Sequence, residues 1–179
     1  MSSFGQTFYV ALFNGVISDE LRLSTSELGA LYGLATFGGA ILLIFIGRFI
    51  DSWDLRNFTI FGIAILALSC LLFGMASGPA SLLIAIIGLR LAGQGLMSHT
   101  ALTSMSRYFE STRGLAVSIA SMGFAVGVAL FPLAGATFLT MVDWRLIWTG
   151  SAILILVTGL PLAFFFLSGH SARHEEYEI

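Results

Sequence analysis

Apolar residues in this chain come in long runs, and the polar clusters between them are short. The runs lie near residues 27–50, 57–76, 80–106, 114–139 and 146–167, separated by DSWDLR, SGP, RYFESTR and MVDWR. A hydrocarbon core about 30 Å thick takes about 20 helical residues at 1.5 Å each, so every run is long enough to cross it. Ahead of them, residues 2–17 read SSFGQTFYVALFNGVI. At about 1.5 Å per residue this stretch reaches only about 24 Å, which predicts a span lacking its beginning. Its start has no basic residue, unlike a cleaved signal peptide.

Backbone groups in lipid must find partners within the protein, which leaves helices or a closed barrel. The runs are too long and too evenly apolar for barrel strands, which alternate over about ten residues. The pattern therefore predicts an all-α membrane protein. It is a polytopic bundle of six transmembrane helices over residues 1–167, the first incomplete, with residues 168–179 as a cytoplasmic tail or the start of a linker.

Composition agrees, with 57% hydrophobic and 10% charged residues and a mean hydropathy of +0.94, where soluble domains are about a quarter charged. The chain has no lysine and a net charge of -2, so nucleic acid is not an expected partner. Membrane lipid is. The lone Cys70 rules out an internal disulfide and reads as a small buried residue. No metal-ligand cluster, phosphate-binding glycine loop or cofactor motif is present, and no cofactor is expected. Arg48, Arg56, Arg107, Arg113 and Arg173 fall on one side of the predicted topology, and Arg22 and Arg145 on the other. Arginine bias then places both termini in the cytoplasm, with the plasma (inner) membrane as the expected location.

The third and sixth spans are rich in Ile, Leu and Phe and read as lipid-facing. The second, fourth and fifth carry Gly, Ala, Ser and Thr, which let helix backbones approach, and read as interior. Gly29, Gly33, Thr36, Ala40 and Gly47 recur along one side of the second span, and Gly123 and Gly127 form a G-x-x-x-G pair in the fifth. Gly93, Gly95 and Pro132 join them as expected packing positions.

Arg90 falls near the middle of the fourth span, where a charge costs about 2.5 to 3.5 kcal/mol on insertion scales. Such an arginine marks a site for an anion, a proton relay or a gating pair, or else a structural pair with a buried carbonyl or acid. At 100° per residue Gln94, Met97, Ser98 and Ala101 share its face, while His99 points the opposite way with Gly95, Thr103 and Ser106. His99 reads as a hydrogen-bonded packing residue or a proton-coupling group. Gln6, Tyr9 and Asn14 of the first span line the same cavity or make ordinary interhelical hydrogen bonds.

Four segments together resemble the major facilitator superfamily, in its N-terminal six-helix half. The loop GRFIDSWDLRN is similar to the family's Gly-x-x-x-Asp-(Arg/Lys)-x-Gly-(Arg/Lys)-(Arg/Lys), with Gly47, Asp51 and Arg56 in the first, fifth and last places. Ser52, Asp54 and Leu55 depart from it. RLAGQG resembles the fourth-helix arginine motif through Arg90. RYFESTRGLA resembles a segment of the monocarboxylate-porter-like branch through Tyr108, Phe109, Arg113, Gly114 and Ala116. DWRLIW resembles the start of helix six through Trp144, Arg145 and Trp148. Gly114, Gly123 and Gly127 also fit the glycine spacing of the antiporter motif, but Pro132 falls too late, and antiport is not assigned.

The resemblance implies two inverted three-helix repeats, half of a twelve-helix fold, whose helices one, two, four and five surround a central cavity. It implies alternating-access transport of a small-molecule solute. It assigns Gly47 to close packing, Asp51 to a latch between halves, and Arg56, with Arg107 and Arg113, to cytoplasmic gating loops. The chain stops at SGHSARHEEYEI, where the family begins its central linker, so a fragment lacking six helices is expected, or else a half-transporter pairing with a second copy or another chain. Arg90 and His99 lean the expected cargo toward a small organic anion with a proton. A scaffold or sensor that keeps the half-fold is the alternative, and an intramembrane hydrolase is set aside because no nucleophile elbow occurs.

Overall fold

The computed structural model describes residues 2–109 and 111–167, without the side chains of Asp51, Ser106, Arg107, Tyr108 and Phe166. The expected roles of the Asp51 and Arg107 side chains, and of the tail over residues 168–179, therefore lie outside the described residues. The described chain is helical, with no strand among the described residues.

The first segment, α1, is broken into a 3-10 turn at Ser2–Gly5, a helix at Thr7–Val10, a second 3-10 turn at Ala11–Phe13 and a helix at Asn14–Leu21. It ends on Arg22, whose φ of 54° is left-handed. Next come α2 (Thr25–Gly47, followed by a 3-10 turn at Arg48–Asp51) and α3 (Leu55–Gly74). Helix α4 has three parts, Pro79–Leu89, a π-helical stretch Arg90–Leu96, and Met97–Tyr108. The last two are α5 (Arg113–Leu139) and α6 (Trp144–Phe166). Helices α2 to α6 are each long and apolar enough to cross a membrane.

Polar side chains between the runs set the helix starts. Ser24 and Glu27 form a reciprocal capping box, Ser24 Oγ accepting from Glu27 N at 3.2 Å and Glu27 Oε2 from Ser24 N at 2.8 Å. Asp54, a departure from the family loop, caps α3 by accepting from Arg56 N at 2.9 Å and Asn57 N at 3.2 Å. Asp143 caps α6 through Arg145 N at 2.7 Å.

The division into lipid-facing and interior helices needs correction. The apolar windows of α3 and α4 are 50% and 56% buried, whereas those of α2 and α5 are 11% and 6% buried. Helix α3 packs along α6 and α4, with Phe58, Ile63, Leu66, Cys70 and Phe73 almost fully enclosed. Small residues state how closely a helix can be approached. They do not say whether this chain supplies the neighbour. A Cβ added to Gly29, Gly33 or Gly123 would meet nothing within 4 Å, and one on Gly47 only Leu43 of its own helix. At Gly93, by contrast, it would stand 2.5 Å from Gly5 Cα, where α1 lies against α4.

One end of the bundle is tied by residues outside the apolar runs. Glu20 Oε1 accepts from Arg145 Nη2 at 2.8 Å and Nε at 3.1 Å, and its Oε2 from Trp144 Nε1 at 2.6 Å. Arg145 Nη1 also donates to Gly74 O at 3.0 Å, placing a cation on the C-terminus of α3. Thus α1, α3 and α6 share one clasp.

The bonds from Arg145 and Trp144 hold the Glu20 carboxyl below the usual carboxylate range. A depressed folded-state pKa contributes stability that is full above the unfolded value, about 4.3, and is lost as pH falls through the folded one. Glu20→Gln is therefore expected to lower the thermal midpoint at neutral pH, and its deficit against the parent should shrink on acidification below about pH 4. A deficit that stayed constant with pH would show that the charge on Glu20 is not what holds the clasp.

Candidate functional site

Arg90 opens the π-helical stretch of α4 and is 8% exposed. Its Nη1 donates to Gly5 O at 3.2 Å and to Thr7 Oγ1 at 3.1 Å. Both acceptors exist because α1 breaks at Gln6: the turn Ser2–Gly5 ends and a new helix starts at Thr7, leaving a carbonyl and a hydroxyl facing α4. Tyr32 of α2 donates to the same Thr7 hydroxyl at 3.1 Å, and the guanidinium carbon lies 5.4 Å from the Tyr32 ring centre. Gly39 of α2 permits this approach, since a Cβ there would lie 3.0 Å from Arg90 Cβ. Arg90 Nε is buried and has no hydrogen-bond partner among the described residues.

That guanidinium borders a cavity of about 230 Å³ lined by Thr36, Gly39, Ala40, Leu43, Arg90, Gln94, Gly95 and His99. Gln94 stands where helical spacing predicted, beside Arg90. His99 does not: it shares Arg90's cavity instead of pointing away. Ser98 instead lines a different cavity of about 480 Å³, with Ser2, Ser3, Ser121 and Phe124. The cause is the π stretch, whose wider turns use about one more residue than the α-helix assumed in the projection.

The remaining candidates of the first span separate. Asn14 lines a cavity of about 440 Å³ with Thr7, Ser18, Asp19, Thr25 and Tyr32, so Thr7 and Tyr32 stand between it and the arginine. Tyr9 is packed among Phe4, Phe13, Phe131 and Trp148 and borders an apolar cavity of about 550 Å³. Gln6 is buried at the break, where its carbonyl accepts from the backbone of Tyr9 and Val10. Three residues of the Arg90 site, Thr7, Tyr32 and Thr36, were not among the sequence candidates for it. A usable signal was the i, i+4 spacing of Tyr32 and Thr36, which puts two hydroxyls on one face of α2.

In the loops, Gly47 closes α2 and Arg113 opens α5. Arg56 lies with its guanidinium carbon 4.5 Å from the centre of the Phe164 ring of α6. Trp53, whose ring centre is 5.6 Å from Phe49 and 5.8 Å from Phe61, packs the α2–α3 loop onto the helices.

Comparison with known proteins gives a consistent picture. The chain matches the Major Facilitator Superfamily over residues 1–177. It is 34% identical over 150 residues to the cephamycin export protein of Amycolatopsis lactamdurans, covering 81% of this chain and 29% of that protein. The vacuolar basic amino acid transporter 5 of Saccharomyces cerevisiae is 29% identical over 143 residues, covering 80% and 24%. The azole resistance protein 1 of the same yeast is 25% identical over 122 residues, covering 68% and 20%. The chain thus spans less than a third of the length of these relatives. No solved structure matches. With a family match over nearly its whole length and five helices able to cross a bilayer, this integral membrane protein belongs to the Major Facilitator Superfamily.

Proposed function

We propose that this chain is the N-terminal half of a secondary transporter that carries a small organic anion with a proton by alternating access. Its termini are cytoplasmic in this reading, and a second six-helix half or a second copy completes the cavity. The three relatives are named for an export, a resistance and a transport protein, which supports transport as the class. Their cargoes differ, so the cargo is argued from the site. The observation that carries it is Arg90, a buried guanidinium whose Nη1 is held by Gly5 and Thr7, beside a cavity that also holds Gln94 and His99. A buried guanidinium bordering a cavity is suited to an oxygen of an anionic ligand. His99 in the same cavity brings an imidazole beside that guanidinium.

The test uses the complete protein in proteoliposomes with labelled lactate as the probe and an imposed pH gradient. Uptake is expected to follow the gradient, to fall at least tenfold in Arg90→Gln, and to lose its dependence on the gradient in His99→Gln. Intact lactate uptake in Arg90→Gln would remove the anion site. Solute flux absent from the parent protein across a panel of small solutes, with the fold intact, would favour a scaffold or sensor.

A further inference from the structure

We infer that the π-helical stretch Arg90–Leu96 is a positioning element whose work is to bring His99 into the cavity of Arg90, so that the two form one paired site for a small carboxylate. The inference rests on the anion reading above for the ligand, but its geometric part stands without it.

In an uninterrupted α-helix the nine steps from Arg90 to His99 turn about 900°, placing the two on opposite sides, while the eight steps to Ser98 place it about 80° away. A π-helical segment spends about one additional residue on the same turns and sets everything beyond it back by about 100°. His99 then stands about 80° from Arg90 on one flank, and Ser98 about 20° from it on the other. The two flanks open on different cavities, Arg90, Gln94, Gly95 and His99 bordering one and Ser98 the other.

Neighbouring helices crowd the stretch at its small residues. A Cβ on Gly93 would stand 2.5 Å from Gly5 Cα of α1, and one on Gly95 2.9 Å from Leu43 Cδ1 of α2. Ser98 Oγ lies 3.4 Å from Gly93 O, five residues back, across the widened turn. The wide turn is therefore seated where α1 and α2 meet α4, and Arg90 is tied to α1 at its start. The paired site offers the Arg90 guanidinium, the Gln94 amide and the His99 imidazole. These are donors for the oxygens of one carboxylate.

The experiment is cysteine bridging in the complete, membrane-embedded protein carrying Cys70→Ala. One version adds Thr36→Cys with His99→Cys, the other Thr36→Cys with Ser98→Cys, and each is treated with a short bis-maleimide. The π register predicts bridging at position 99 at least fivefold faster than at 98. It also predicts that deleting Ala92, which lets the ladder return to α-helical spacing, leaves position 99 facing Thr36. Faster bridging at 98 than at 99 would overturn the inference, as would loss of the bridge at 99 in a folded Ala92 deletion.

A second readout addresses the ligand. Lactate is expected to slow maleimide labelling of Thr36→Cys in a Cys70→Ala protein that keeps Arg90 and His99, and not where Arg90→Gln is added. Labelling at position 36 that lactate leaves unchanged would overturn the paired site together with the anion reading, while the register itself would be established by the bridge. Neither readout needs transport, so failure of transport and failure of the positioning are separable.

Discussion

Gly93→Ala is expected to cost the bundle most of its stability, although it adds a single methyl group. That methyl would stand 2.5 Å from Gly5 Cα and 2.7 Å from Gly5 N, with Leu66 Cδ1 at 3.2 Å. Overpacking against side chains typically costs about 1–3 kcal/mol, because rotamers can yield. Here the obstacle is backbone, so α1 must move away from α4. Moving it lengthens the bonds from Arg90 to Gly5 O and Thr7 Oγ1, and hydrogen bonds to charged groups are worth about 1.5–3 kcal/mol each. A loss of about 4 kcal/mol corresponds to a fall of roughly 10 °C in thermal midpoint for a chain of this size. The same exchange at Gly33, where a Cβ meets nothing within 4 Å, should change stability by about 1 kcal/mol or less. Thermal unfolding in detergent compares the two. Equal midpoints for Gly93→Ala and Gly33→Ala would mean that α1 does not cross α4 at Gly5.

The contrast between these two glycines shows what could be read from the sequence. Span positions were legible because bilayer thickness fixes helix length, and the helices start within two residues of the apolar runs: Thr25 against 27, Leu55 against 57, Arg113 against 114 and Trp144 against 146. Arg90 was legible because a charge in hydrocarbon is conspicuous. Its partners were not. Gly5 and Thr7 become available only through the break in α1 at Gln6, and α1 has no periodic pattern that marks a break. The placement of His99 failed for a related reason, since a projection at 100° per residue assumes the regular helix that α4 abandons at Arg90. Asp54 looked like an imperfection in a family loop until its carboxylate was found capping α3. Glu20 gave no signal at all, because its partners Trp144 and Arg145 are more than a hundred residues away in sequence.

Trp148 is the other position where a single change should be felt throughout. It is fully enclosed, with the rings of Phe73, Phe13 and Tyr9 centred 4.2, 5.2 and 5.4 Å away, and so joins α1, α3 and α6. Truncation to Ala removes the centre of that cluster and should cost about 3–5 kcal/mol. Phe is expected to behave differently. The indole Nε1 is buried with no hydrogen-bond partner among the described residues, a state that costs about 1–3 kcal/mol, and Phe removes that donor while keeping most of the ring contact. The expected order of thermal midpoints is therefore parent close to Trp148→Phe, with Trp148→Ala far below. A Phe variant as unstable as the Ala variant would show that Nε1 holds a bound water or another partner. The effect should also reach the candidate site. Tyr9 lies two residues beyond Thr7 in the same short helix, and its ring is fixed by Trp148, so loosening the cluster frees the segment that holds the Arg90 guanidinium.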